Sequence, residues 1–185
     1  MLKPKAIIET GTYLGTSTEW LSAFQIPLWS VEANAKHFGY SYQRLFDIKH
    51  VKLHLGDSRR LLKEKFYGAL DEYVEESIFF YLDAHWEEDL PLREELEIIF
   101  SIFKRPIVLI DDFKVEDDDG YRYDDYGPEK KLDWHYISPV LNTFTLAAMY
   151  PSAAADTETG ARRGSIILAR QASELSKLTQ LRPAK

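Results

Sequence analysis

The chain has 185 residues, a formal net charge of −7, 45% hydrophobic and 29% charged residues, and no cysteine. A length of ~100–200 residues is one domain with an ordinary globular balance, which excludes a disordered, collagen-like or disulfide-scaffold chain. The missing cysteine removes thiolate metal sites, iron–sulfur clusters and thiol nucleophiles, and the negative charge argues against non-specific nucleic-acid binding.

Short apolar runs alternate with longer amphipathic ones. Residues 6–9 (Ala-Ile-Ile-Glu) read as a buried strand, followed by a glycine turn over 11–15 and a helix over 17–23. Residues 27–32 form a second strand and 35–46 a helix. Residues 51–55 alternate apolar and polar, as an edge or half-covered strand does. A helix is predicted over 58–70, with Leu61, Leu62 and Phe66 on one apolar side. The unbroken apolar run 78–82 reads as a central strand covered on both faces, 92–103 as a helix, and 106–110 as another central strand. This alternation predicts an α/β fold with a parallel sheet and helices on both faces.

The pattern then changes. Residues 113–134 are acidic and rich in Tyr and Gly, without a period. Residues 143–150 and 165–169 are strand-like, and the loop joining them is too short for a helical crossover. They are expected to add an antiparallel pair to the sheet. Residues 171–185 read as a polar tail. No run approaches the ~18 apolar residues of a membrane span. The N-terminus lacks the apolar core of a signal peptide, so a cytoplasmic protein is expected.

In open parallel sheets ligands bind beyond the carboxyl ends of the strands. There stand Glu9 with Gly11 and Gly15, then Glu32, then Gly56-Asp57-Ser58, then Asp83-Ala-His85, then Asp111-Asp112. Every strand end carries a carboxylate. The glycine turn is neither Gly-x-Gly-x-x-Gly nor a P-loop. A carboxylate ~20 residues past the turn suits a ribose diol. An acidic rim is a poor home for a triphosphate and suits a nucleoside bearing a cationic group.

Glu9-x-Gly11-x-x-x-Gly15, Glu32, Gly56-Asp57-Ser58 and Asp83, in that order, resemble the class I S-adenosylmethionine-dependent methyltransferases over nearly the whole chain. Within that family, Tyr81-Leu-Asp83-Ala-His85-Trp86 and Ile110-Asp111-Asp112-Phe113 look most like metal-dependent O-methyltransferases of small molecules, of catechol or macrocin type. The resemblance implies a Rossmann-like, doubly wound, mostly parallel seven-stranded sheet with an antiparallel C-terminal pair. It implies one methyltransferase-like domain over 1–170, with 113–134 as a candidate lid and 171–185 as a tail.

The same resemblance implies that Glu9, Gly11, Thr12, Tyr13, Gly15, Thr16, Ser17, Glu32, Ala33, Gly56, Asp57, Ser58 and Asp83 bind S-adenosylmethionine. The glycines would line its methionine part, Glu32 would hold the ribose, and Asp57 with Ser58 would lie near the adenine. Asp83, Asp111 and Asp112 match the metal ligands. Three carboxylates suit Mg²⁺, which lowers the pKa of a bound hydroxyl and aligns it with the methyl group. His85 and Asp83 are the catalytic candidates: His85 would either take the substrate proton, since an imidazole titrates near working pH, or ligate the metal, and the lysine that catechol-type enzymes carry just after this aspartate is missing here, which leaves the base open. The expected activity is methyl transfer to a hydroxyl of a sugar, polyketide sugar or phenol. No nucleic-acid or membrane partner is expected, and a homo-oligomer stays open. The alternatives are a nicotinamide-dependent oxidoreductase, or a cofactor-binding domain without turnover. Only five residues precede the first strand, so cover for the site must come from 113–134, a partner subunit or elsewhere.

Overall fold

A computed structural model describes residues 3–86, 89–176 and 178–184. The chain divides into two units, Lys3–Pro106 and the stretch from Ile107 onward.

The first unit contains β1 (Ala6–Thr10), α1 (Thr16–Ser22), β2 (Leu28–Glu32), α2 (Ala35–Leu45), β3 (Val51–Leu55), α3 (Ser58–Lys63), β4 (Ser77–Leu82) and α4 (Leu92–Ile102). The strand β1 pairs in parallel with both β2 and β4, and β2 pairs in parallel with β3. Every residue of β1 and β2 is buried, including the polar Glu9, Thr10, Ser30 and Glu32. In β4, Ile78, Phe80 and Leu82 are fully buried. Phe79 and Tyr81 pack partly buried against Ile7, Leu21 and Leu28.

The helix starts are fixed by short polar side chains. Asn34 Oδ1 accepts from Lys36 N (2.9 Å) and His37 N (3.3 Å), and Asp57 Oδ1 accepts from Arg60 N (3.2 Å). Each satisfies helix donors that would otherwise lack partners. Helix α3 is much shorter than its sequence period predicts. The chain leaves the helix after Lys63, and Lys65, Phe66 and Tyr67 all take left-handed backbone angles. Phe66 still reaches the core, through this turn rather than along a helical stripe.

The strand β5 (Arg105–Ile110) leads into the second unit, which holds α5 (Trp134–Phe144), β6 (Ala147–Pro151), β7 (Ile166–Ala169), α6 (Ala172–Leu175) and β8 (Leu181–Pro183). The strand β7 runs antiparallel to β5 and β6, and β8 runs antiparallel to β6. The sheet order is β3-β2-β1-β4-β5-β7-β6-β8, which puts β3 at one edge as its alternating pattern predicts.

Three expectations change. Among the described residues the sheet has eight strands rather than seven. The predicted polar tail supplies α6 and β8: Leu175 is buried, and β8 pairs antiparallel with β6, with Arg182 opposite Tyr150. The strand expected from residue 143 begins at Ala147, because α5 occupies the chain up to Phe144 and Thr145 closes it in a left-handed conformation. Among the described residues no helix is long and apolar enough to cross a membrane.

The acidic segment 113–134 is not a free loop. Phe113, Val115, Tyr121 and Leu132 are buried. Backbone bonds run from Lys114 N to Leu132 O (2.7 Å), Asp124 N to Asp112 O (2.9 Å) and Leu132 N to Asp124 O (3.0 Å). The buried side chains alternate with the exposed carboxylates of Glu116, Asp117, Asp119 and Asp125.

Candidate functional site

Past β1 the chain turns through Gly11 (φ 87°) and Gly15 (φ 80°), conformations that favour glycine. Space demands glycine as well. A Cβ on Gly11 would run into the Asp83 carbonyl oxygen at the end of β4, and one on Gly15 would lie 2.8 Å from Leu45 Cδ1 of α2. Asp83 N also donates to Thr10 O (2.9 Å), so the ends of β1 and β4 are held together.

Glu9 sits behind this turn, 0% exposed. Its carboxylate accepts from Ser17 Oγ (2.6 Å), Thr18 Oγ1 (2.5 Å) and Ser30 Oγ (2.5 Å), and Ser30 Oγ lies 2.6 Å from Thr12 Oγ1. Burial pushes its pKa up, while the three hydroxyls act the other way. Glu9 therefore ties β1, α1 and β2 together from inside. Thr18 and Ser30, its partners, were not singled out from the sequence. Ser30 is the one polar residue between Leu28, Trp29 and Val31, and that interruption was the available signal.

Glu32 closes β2, with the residue 7% exposed. Oε2 accepts from Tyr13 N (2.7 Å), and Oε1 accepts from Asn34 N (2.8 Å). His37 Nδ1 lies 3.9 Å from Oε1, and the His37 ring meets Tyr13 edge-on at 4.7 Å. Two backbone donors thus fix the carboxylate. A carboxylate offers about four lone-pair sites, so acceptor capacity remains. Tyr13 itself is 55% exposed on a left-handed backbone. Gly56 N donates to Glu32 O (2.9 Å), bringing the third strand end beside the second. Ala33 and Thr16 are exposed at the same end, and Thr16 Oγ1 accepts from Arg44 (3.0 Å).

Asp57 caps α3 and pairs with Arg59 (2.5 Å), which holds its carboxyl below the usual range, with the Arg60 N–H lowering it further. Arg59 also pairs with Asp89 (2.6 Å) and Glu94 (2.9 Å), fastening the β4–α4 connection to α3. His85 in that connection is buried, whereas Trp86 is 66% exposed. Glu95 of α4 is fully buried near Thr10 and Ser58, and burial pushes its pKa up to about 7. Neither Arg59 nor Glu95 was singled out from the sequence, although Glu95 falls on the apolar stripe of Leu92, Leu96 and Ile99.

In the second unit, Asp112 N donates to Asp111 Oδ1 (2.9 Å). Asp112 Oδ1 accepts from Arg163 Nε, and a second nitrogen of Arg163 donates to Asp124. The Asp112 carboxylate is thus already neutralised by a guanidinium. Among the described residues no group of three or more His, Asp or Glu is arranged to hold a metal ion.

No protein-family model matches the sequence, and neither does any curated protein. Solved structures do. An O-methyltransferase from Bacillus cereus in complex with SAH is 14% identical, with 90% of this chain and 74% of that one covered at a TM-score of 0.57. A putative caffeoyl-CoA O-methyltransferase from Staphylococcus aureus is 16% identical, covering 91% and 77% at a TM-score of 0.62. A SAM-dependent methyltransferase from Aquifex aeolicus is 13% identical, covering 89% and 81% at a TM-score of 0.56. The chain therefore has the α/β Rossmann-like fold of these methyltransferases, an eight-stranded, mostly parallel sheet with an antiparallel C-terminal pair.

Proposed function

We propose that this protein is a S-adenosylmethionine-dependent methyltransferase that methylates a hydroxyl of a small molecule. The observation that carries the reading is the Glu32 carboxylate, held at the end of β2 by Tyr13 N–H of the glycine turn and by Asn34 N–H. That arrangement suits a ribose diol beside a turn kept bare by Gly11 and Gly15. Bound S-adenosylmethionine would supply an activated methyl group on a sulfonium. Glu32 would accept from the ribose hydroxyls, and Asp57 with Ser58 would flank the adenine. His85 would take the acceptor hydroxyl's proton at a ring nitrogen, with Asp83 orienting the acceptor. A nicotinamide-dependent oxidoreductase is not favoured, since its glycine spacing is absent and the similar structures above are methyltransferases.

Magnesium assistance is the finer part of the proposal, supported by the hard oxygen chemistry of carboxylates such as Asp111 and Asp112. The residues as they stand do not form a ready metal shell, because Asp112 is paired with Arg163. No step is therefore routed through a metal.

Calorimetric titration with S-adenosylhomocysteine tests the reading. Binding is expected, and Glu32→Ala is expected to weaken it about tenfold or more, the scale of a charged hydrogen bond. Absence of binding at millimolar ligand overturns the reading. Methyl transfer to phenol and sugar acceptors that is unchanged by chelator would remove the magnesium part alone.

A further inference from the structure

We infer that one flank of α2 is a docking face for a second copy of this chain, joined antiparallel across a two-fold axis near Tyr42. The inference goes beyond the methyltransferase reading and does not depend on it.

Helix α2 packs on β2 and β3, at the β3 edge of the sheet. Ser41 and Leu45 are its buried residues. Arg44 marks the flank toward α1, where it donates to Glu19 and Thr16. Phe38, Tyr42 and Phe46 are spaced four apart and so share the opposite flank, together with Ala35 and Gly39. The rings of Phe38 and Tyr42 lie 5.9 Å apart. Tyr42 is 56% exposed and Phe46 63%, and Ala35 and Gly39 are exposed beside them. Single exposed aromatics are ordinary, but a continuous apolar stripe marks an interaction face.

Gly39 is a second, independent sign. Glycine inside a helix is destabilising relative to alanine. Among the described residues, a Cβ at position 39 would meet nothing within 4 Å. The packing of the chain itself therefore does not call for a bare backbone there. An approaching helix does, because the side chains at the contact set how closely two helix axes come.

A second copy fits this face. Reversed end to end, the stripe matches itself: an antiparallel copy centred on Tyr42 sets Phe38 against the partner's Phe46. Lys36 near the start of α2 and Asp47 just past its end are both exposed on one side of the stripe. The same pairing brings Lys36 to the partner's Asp47, and the reverse, so the rim charges are complementary. Anionic lipid would favour a basic rim instead. His37, 3.9 Å from Glu32, lies on the α1 flank, so pairing leaves the candidate cofactor site open. Tyr42 and Phe46 together present about 200 Å² of side chain, and the flank of one helix stays below the ~800 Å² that each side of a standard interface buries. The dimer is therefore weak, with a Kd expected in the micromolar range.

Sedimentation velocity on the full chain, from about 1 to about 500 µM to span that Kd, tests the inference. The wild type is expected to pass from monomer to dimer as concentration rises. Tyr42→Glu and Gly39→Gln are each expected to weaken association about tenfold or more. Gly39→Gln should at the same time raise the melting temperature at low concentration, because it replaces glycine with a better helix former. Lys36→Glu and Asp47→Lys should each weaken the dimer a few-fold, and the two together should restore it. A wild type that stays monomeric throughout overturns the inference, and binding of that monomer to phosphatidylcholine–phosphatidylglycerol vesicles would assign the face to lipid instead. A dimer that Tyr42→Glu and Gly39→Gln leave intact overturns it as well. A double exchange that does not recover overturns the antiparallel arrangement. If Tyr42→Glu does not fold, Gly39→Gln and the charge exchange decide.

Discussion

Glu9 and Glu95 are both wholly buried, yet they meet burial differently. Glu9 collects three hydroxyl donors, whereas Glu95 has none. Removing one donor from Glu9 leaves a buried carboxylate short of a partner, so Ser30→Ala is expected to cost about 1–3 kcal/mol in denaturant unfolding. Glu95 makes stability depend on pH. Its pKa is 4.5 as a reference and about 7 in the fold. Between those values the folded chain keeps a proton that the unfolded chain has released. The stabilising contribution is therefore complete below pH 4.5 and is lost as pH rises through about 7. The difference corresponds to about 3 kcal/mol. Glu95→Gln should accordingly gain stability over the wild type at pH 8 and not at pH 4, as read by urea unfolding at both values.

The glycine turn and the β4–α4 connection are elements whose geometry rests on single residues. Gly11→Ala adds a Cβ where the Asp83 carbonyl oxygen stands, on a backbone that disfavours side chains. It is expected to destabilise by about 1–3 kcal/mol and to abolish S-adenosylhomocysteine binding, checked by thermal unfolding and calorimetry. Arg59 gathers Asp57, Asp89 and Glu94 at the surface of α3. Exposed ion pairs contribute little to global stability, ~1 kcal/mol or less. Arg59→Ala should therefore leave the unfolding midpoint almost unchanged while hydrogen exchange at residues 83–86 and 89–91 quickens, an effect that rising salt reproduces in the wild type.

Much of the architecture of Lys3–Pro106 can be read directly from the chain, because each buried strand is an apolar run and each helix after it repeats at helical spacing. The Glu9, Gly11, Gly15 and Glu32 pattern could be read for the same reason: strand ends mark where ligands go. What escaped depends on tertiary contact. Phe66 reaches the core through a left-handed turn that mimics helical spacing. The partners of Glu9 lie on α1 and β2, 8 to 21 positions away. Asp112 looks like a metal ligand until Arg163, 51 positions on, is folded against it. Beyond Asp112, α6 packs on β6 and β7 and β8 pairs with β6, contacts that the polar composition of 171–185 does not announce. If the site binds its expected ligand, the entire protein is stabilised, by about 2.7 kcal/mol at a ligand concentration one hundred times Kd, so a rise in melting temperature with S-adenosylhomocysteine is expected. The last strand carries a practical warning. Leu181–Pro183 zips along Met149–Pro151, and Arg182 anchors it to Asp117 (2.6 Å). A clone trimmed at residue 170 would bare that ribbon's rim to neighbouring molecules, and light scattering should find it sticking to itself while the untrimmed product stays dispersed.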